Sequence, residues 1–567
     1  MNKEFGLNDV QAFFMPMQQN RTFIFIIAAY LLCSIYGILD VPLGGEEPRR
    51  AYLAVESVQE GDPLIMRHYG QLYFNKPPVH HIFNFLSIQS LGSGLISYRL
   101  TSFIAYLLMG LLLFRLLKSR SRQWAIYSLF IFMLSPDLMF YQTIYTGEID
   151  GLFALLLFVQ FTLFSKYLRK PLLFTLALAY LFGALAFLTK GLPAIFITAM
   201  GQVALFICAE KKVGLFIRHS LRSILPAIVL LVGYFGYFEW VTGHASVYLL
   251  NLIKESTSKS VEGFQWISFL HHIFLEFPGQ LIKFTFPFIF IFLLWMYNKR
   301  TTAFTAVRKN KLLWFSLIYM LLNIWPYWLS SYSKSRYLIP FIPVFALLLG
   351  AVLSKMKFDK FNSPNRKGNR WPSILLPHLI LPVGALVFIP DLPVYQNYLF
   401  AFSALVFYLA ILIWVIRFQG DSDTVRGNIY TYAIVLISIK ALLIYGILSE
   451  PLQRERKTRA IASFIYEYCK DHPVYITGSL EKQELLVQLG PYQWQEFKYK
   501  PPLMAYQVPL YYYEKTGKLM QYQREITQSG CFLRKVGIAD KYFNPGEQGN
   551  SFVDPWTNSK IELLLKE

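Results

Sequence analysis

The feature that most limits how this chain can fold is a succession of long apolar runs, near residues 22–39, 96–117, 124–141, 149–166, 172–188, 192–209, 221–241, 278–296, 312–330, 337–355, 373–389, 397–417 and 429–448. A helix of about 17–22 apolar residues crosses the hydrocarbon core of a bilayer with every backbone amide and carbonyl satisfied internally. The expected fold is therefore an α-helical polytopic membrane protein with about thirteen transmembrane helices. Residues 1–21 are polar, and no small-residue cleavage pattern follows the first run, so that run is expected to be retained as a span. The shorter run Val79–Leu91 is more polar and is expected at the membrane interface.

The formal net charge of +20 has to be located before it is interpreted. Cytoplasmic loops of membrane proteins collect Lys and Arg. Thirteen spans with the N-terminus inside place the clusters Arg115–Arg122, Lys166–Lys170, Lys211–Arg222, Lys299–Lys311 and Lys355–Arg370 on the cytoplasmic side. The positive balance thus follows topology, and no nucleic acid is expected as a partner. Residues 40–95, Gln142–Glu148, Thr189–Gly191, Thr242–Gly279, Ser330–Arg336 and everything after Glu450 fall on the opposite side.

Two domains are expected: a transmembrane domain over 1–450, with its first periplasmic loop at 40–95, and a small C-terminal periplasmic α/β domain over 451–567. In the latter, Thr458–Lys470 has helical periodicity, and Val474–Thr477 and Phe532–Val536 read as strands. It also holds Cys469 and Cys531, which an oxidising compartment would allow to pair, although their spacing says nothing about distance.

The stretch Asp40–Pro78 carries more charge than its place beside a first span requires. Gly44-Gly45 breaks the chain, Pro48 opens a short helix and Gly61-Asp62 stops it, with Ala51, Ala54, Val55 and Val58 on one face. Glu46 and Glu47 stand at the positive end of that helix, where plain dipole capping would also explain them. Further charges gather on the same side of the membrane: Asn75-Lys76-Pro77-Pro78, Glu148-Ile149-Asp150, Lys190, and Lys334-Ser335-Arg336-Tyr337. Carboxylates beside cations at a water-depleted mouth suit activation of a hydroxyl nucleophile and release of an anionic leaving group. Capping of a span would account for Glu148 or Asp150 equally, and snorkelling for Lys334 and Arg336. No histidine pair has HExxH-type spacing, and His80, His81, His271 and His272 read as interfacial.

The string EEPRRAYLAVESVQEGDPLIMRHYGQLYFNKPP resembles the first periplasmic loop of bacterial GT-C glycosyltransferases related to lipid A aminoarabinose transferase and protein O-mannosyltransferases. YTGEIDGLFALLL, FLTKGLPA and SKSRYLIPFIPVFALLLG resemble later landmarks of the family in the same order. The resemblance implies inverting transfer of a sugar from a polyprenyl-phosphate carrier, the donor substrate, to a lipid, glycan or protein acceptor, at the periplasmic face of the bacterial inner membrane. It puts Glu46 in the place of the catalytic Asp, with Glu47 as a rival, and Asp150 in that of a second acid. Lys76 matches the phosphate-binding Lys, and Arg49, Lys190, Lys334 and Arg336 join it as donor-binding candidates. Tyr73, Asn75, Glu148 and Tyr337 complete the site candidates. Asn75 stands where aminoarabinose transferases have a Glu implicated in metal binding, and Thr242–Gly279 offers no clear partner His, so the resemblance does not carry metal dependence over to this chain and a divalent cation stays an open alternative. The rivals from other classes are a lipid or polysaccharide transporter and a membrane scaffold without transferase activity.

Overall fold

The computed structural model describes residues 43–44, 46–135, 146–209, 213–261, 266–285, 307–330, 335–355, 449–470, 472–477, 504–522, 529–538 and most of 545–566, with residue 138 and scattered positions of 27–39. The expected spans near 373–389, 397–417 and 429–448, most of that near 22–39, and Lys334 lie outside the described residues. Residues 42–355 and 451–567 form one compact unit, and residues 1–41 and 356–450 another. In the second unit, the described helical positions include Tyr30 and Ser34, whose hydroxyl donates to the Tyr30 carbonyl at 2.8 Å.

The larger unit begins with α1 (Glu47–Glu60), the strands β1 (Arg67–His68) and β2 (Gln71–Leu72), and α2 (Val79–Leu91). There follow α3 (Leu95–Lys118), α4 (Arg122–Met133), α5 (Ile149–Arg169), α6 (Leu173–Lys190), α7 (Leu192–Cys208), α8 (Val213–Ser223), α9 (Leu225–Thr242), α10 (Ala245–Val261), α11 (Trp266–His271), α12 (Phe277–Thr285) and α13 (Lys311–Leu329). A 3₁₀ turn at Ser335–Phe341 leads into α14 (Ile342–Lys355). Among the described residues, six helical stretches are long and apolar enough to cross a membrane: Leu95–Lys118, Ile149–Arg169, Leu173–Lys190, Phe216–Thr242, Lys311–Leu329 and Ser335–Ser354. Of the expected span 124–141, residues 136, 137 and 139–141 lie outside the described residues. Its helix stops at Met133, just before Ser135-Pro136, where a proline disfavours helical backbone in the residue ahead of it. Thr242–Gly279, expected only as an outer segment, is largely helical.

The loop helix α1 has the expected ends. Pro48 sits in its first turn, Gly61 closes it at φ 75°, and the Gly61 amide donates to the Ser57 carbonyl at 2.8 Å. Such a left-handed closing residue has no steric penalty in glycine. The Asp62 carboxylate then accepts from the Leu64 amide at 2.8 Å and turns the chain. The following hairpin pairs Arg67 with Leu72 and His68 with Gln71. Its two turn residues, Tyr69 (φ 53°) and Gly70 (φ 76°), are both left-handed, as a two-residue hairpin turn of the primed type requires. Tyrosine is a poor choice there, and Glu56 compensates: its carboxylate accepts from the Tyr69 amide at 3.1 Å and the Gly70 amide at 2.6 Å.

The C-terminal segment builds α15 (Ser449–Cys469), β3 (Val474–Thr477), α16 (Met504–Thr516), β4 (Gln521–Tyr522), β5 (Gly530–Ile538), β6 (Ser551–Val553) and β7 (Ser559–Lys566). The strands form one sheet in the order β4-β3-β5-β7-β6, with β3 parallel to both neighbours and the β5, β7 and β6 pairings antiparallel. Cys469 at the end of α15 is disulfide-bonded to Cys531 on β5, with the Cα atoms 5.6 Å apart. The sheet topology explains that pairing, because β3 runs directly beside β5 and the Cys531 amide donates to the Pro473 carbonyl at 2.9 Å. Leu510 of α16 packs with Ala51, Tyr52, Ala54 and Val55 of α1, and with Ile88 and Tyr98. The loop helix is thus apolar on more than one side, covered by α2 and α3 on one and by the C-terminal segment on another.

Candidate active site

The charged groups expected at the site converge where the N-termini of α1 and α5, the C-terminus of α6 and the 3₁₀ turn meet. Glu47, at the start of α1, is 1% exposed and is held by Arg99 of α3, which is 0% exposed. Arg99 donates to its two carboxylate oxygens at 2.5 and 2.9 Å. The Gly147 amide adds a bond of 2.7 Å and the Gly44 amide one of 3.3 Å. Gly147 has to be glycine here, because a Cβ would overlap the Tyr98 carbonyl. Next to it, Arg50 donates through Nε to Glu148 at 3.0 Å, and Ser102 ties the Glu148 carbonyl to α3 at 2.7 Å. Asp150 is paired with Lys190 from the end of α6. The Lys190 ammonium also lies 4.9 Å from the Tyr337 ring centre and 5.1 Å from that of Phe153. Arg336 lies over the same Tyr337 ring at 5.8 Å.

Four carboxylates are therefore each paired with a cation, but they differ in access. Glu46, paired with Arg49, is 30% exposed, against 1%, 3% and 4% for Glu47, Glu148 and Asp150. Burial raises the affinity of Glu46 for a proton, but Arg49, Arg50, Arg336 and Lys76 together outweigh it and hold the carboxyl below its ordinary value. Glu46 is accordingly an ionised, reachable oxygen acceptor. Burial has the upper hand at Glu148, which is raised despite Arg50.

Counting Arg49, Arg50, Lys76, Arg99, Lys190 and Arg336 against Glu46, Glu47, Glu148 and Asp150, the cluster holds two more cations than carboxylates. A partly buried site with that excess favours an anion. Tyr73 lies under Arg49, with the guanidinium 6.0 Å from its ring centre. Asn75 accepts through its side-chain oxygen from Asn251 of α10 at 3.2 Å.

Sequence reasoning did not assign roles to Arg50, Arg99, Tyr248 or Asn251. Arg99 carried a usable signal, since an ionisable residue inside an apolar span needs a partner. Nothing local marks Asn251, an amide in the run VYLLNLI.

The bundle of apolar helices, with its cation-rich carboxylate site at helix ends, resembles GT-C-type glycosyltransferases. Residues 75–234, which include Lys76, Glu148, Asp150 and Lys190, match the model of the dolichyl-phosphate-mannose-protein mannosyltransferase family. The fold is that of ArnT from Cupriavidus metallidurans, solved bound to undecaprenyl phosphate: TM-score 0.67, 15% identity, 96% of this chain and 98% of that one covered. The apo state of the same enzyme superposes with a TM-score of 0.65 at 14% identity, covering 95% and 97% of the two chains. No curated protein matches the sequence.

Proposed function

We propose that this protein transfers a sugar from a polyprenyl-phosphate carrier to a lipid, glycan or protein acceptor at the periplasmic face of the bacterial inner membrane. The observation that carries this reading is one accessible carboxylate among the four described, Glu46, set within a cluster that has a surplus of cations. In one displacement the acceptor oxygen bonds to the anomeric carbon, the bond from that carbon to the phosphate oxygen breaks, and the sugar is inverted. The electron pair leaves with polyprenyl phosphate, whose growing charge Lys76, Arg336 and Arg49 stabilise. Lys334 belongs to the same proposed set by sequence.

Glu46 orients the acceptor hydroxyl and receives its proton as the new bond forms. Where the acceptor is an ionised phosphate, no proton moves and Glu46 only positions it. Glu47 has no open face in this geometry and serves instead to fix the start of α1 against Arg99. Asp150 holds Lys190, and Glu148 holds Arg50. A divalent cation does not fit at Asn75: Asn75 and Asn251 are both neutral amides already bonded to each other, so no step is routed through a metal. The transporter reading is weaker because such proteins carry ionisable groups along a path through the membrane, whereas these cluster at helix ends. The division into a catalytic domain over 1–450 and a soluble domain over 451–567 forms part of this proposal.

Transfer from a radiolabelled polyprenyl-phosphate sugar is expected to fall roughly 10²–10⁴-fold in Glu46→Gln. It should be lost in Lys76→Ala. Unchanged turnover in both variants overturns the assignment.

A further inference from the structure

The end of the loop that carries Lys76 is built with few means of holding itself. Residues 74–78 read Phe-Asn-Lys-Pro-Pro, and the two prolines supply no backbone N–H. Carbonyls here must find donors elsewhere, since buried backbone acceptors are rarely left unpaired. Two side chains of α10 meet that need. Asn251 donates through Nδ2 to the Phe74 carbonyl at 3.0 Å and to the Asn75 side-chain oxygen at 3.2 Å. Tyr248 donates its hydroxyl to the Lys76 carbonyl at 2.6 Å. The two residues lie three apart, on one face of α10, and both are buried. Tyr248 is further fixed by the rings of Phe74, Phe235 and Phe238, with centroids 5.6, 5.8 and 4.9 Å away.

The opposite oxygen of Asn251, Oδ1, is buried with no hydrogen-bond partner among the described residues. For stability alone an apolar side chain of the same size would avoid burying that oxygen. What the amide adds is two N–H donors directed at the loop.

We propose that Asn251 and Tyr248 are positioning residues that clamp the Phe74–Lys76 backbone from α10 and so set where the Lys76 ammonium meets the phosphate of the lipid donor. The proposal rests on the polyprenyl-phosphate reading above. The clamp is uncharged, so it orients Lys76 without itself cancelling any of its charge. An acid in place of Asn75 would still accept from Asn251 but would weaken the loop's grip on an anion, and an acid in place of Asn251 would have no N–H to give the loop.

The test is equilibrium binding of undecaprenyl phosphate to the detergent-solubilised full chain, followed by intrinsic fluorescence, for the wild type, Asn251→Leu, Asn251→Asp, Tyr248→Phe and Lys76→Ala. Asn251→Asp preserves size but turns the double donor into an acceptor, and Tyr248→Phe removes only the hydroxyl. Kd is expected to rise about tenfold in either Asn251 variant and about threefold in Tyr248→Phe, the scale of one or two hydrogen bonds. Adding the neutral Asn251→Leu change to Lys76→Ala should have no further effect, because the clamp acts only through Lys76. A merely structural role would lower the melting temperature and leave that non-additivity absent. Wild-type Kd in Asn251→Asp and Tyr248→Phe, or full additivity with Lys76→Ala, overturns the clamp. Wild-type protein that fails to bind undecaprenyl phosphate at all overturns instead the functional reading on which it rests.

Discussion

The two ends of the Asp40–Pro78 loop are held by opposite means. At the α1 end, charges hold charges: Glu47 with Arg99, Arg50 with Glu148, Arg49 with Glu46. At the Phe74–Lys76 end, neutral side chains hold backbone carbonyls. Ion pairs fix geometry but cancel the charges they use, whereas hydrogen bonds to the main chain fix geometry and leave the side chain's charge intact. A site that must orient a carboxylate and also attract an anion has reason to use the first method for the acids and the second for the lysine.

The sharpest way to break this contrast is at the buried ion pair. Arg99→Ala leaves the Glu47 carboxylate uncompensated in the interior and is expected to cost about 3–5 kcal/mol, read as a fall in thermal stability in detergent. Replacing both partners, Glu47→Met with Arg99→Met, should recover most of that stability. A single Arg99→Ala as stable as the wild type would show that the α1 end is not held electrostatically.

Smaller, and dependent on pH, is the hairpin between the two ends. Burial, with Glu60 nearby, raises Glu56 to about 7, in spite of the bonds from the Gly70 and Tyr69 amides. A carboxyl raised in the folded state binds a proton more readily folded than unfolded. Its contribution is therefore fully present below the unfolded value of 4.5 and is lost as pH rises to about 7. The loss amounts to at most roughly 3 kcal/mol. His68, which burial and Arg49 hold down to about 3, works in the other direction below its ordinary value of 6.5. The comparison to make is thus wild type against Glu56→Gln by thermal unfolding at pH 5 and pH 7.5: the difference between the two proteins should change with pH, and an identical pH slope for both refutes it. The smallest expected effect is that of metal removal. Because the Asn75–Asn251 pair bonds to itself, EDTA should leave transfer unchanged, and a loss restored by added divalent ion would count against the neutral clamp.

Local grammar made much of this visible in the sequence. Pro48 and Gly61 delimit α1 as expected, and the strands at Val474–Thr477 and around Phe532 lie where alternation and turn residues put them. The ends of the charged cluster were legible because their cations fell outside the loops that the span count makes basic. Long-range partners were not. Glu47 and Arg99 are 52 residues apart, Lys76 and Tyr248 are 172, and no spacing rule connects such pairs. The hairpin at Arg67–Leu72 was hidden for a different reason: Tyr-Gly is a weak turn signal, and the carboxylate that stabilises it belongs to Glu56, thirteen residues before Tyr69. Cys469 and Cys531 needed the parallel pairing of β3 with β5 before their proximity could be known.

The packing of Leu510 on Ala51, Ala54 and Val55 also has a consequence for biosynthesis. These contacts join segments about 450 residues apart, which a ribosome working at roughly 5–20 residues per second makes some 20–90 s apart. Through that interval α1 can dock on α2 and α3, but one apolar side has nothing to cover it. The helix at whose start Glu46 and Glu47 stand is among the first parts of the chain to be made and among the last to be sealed.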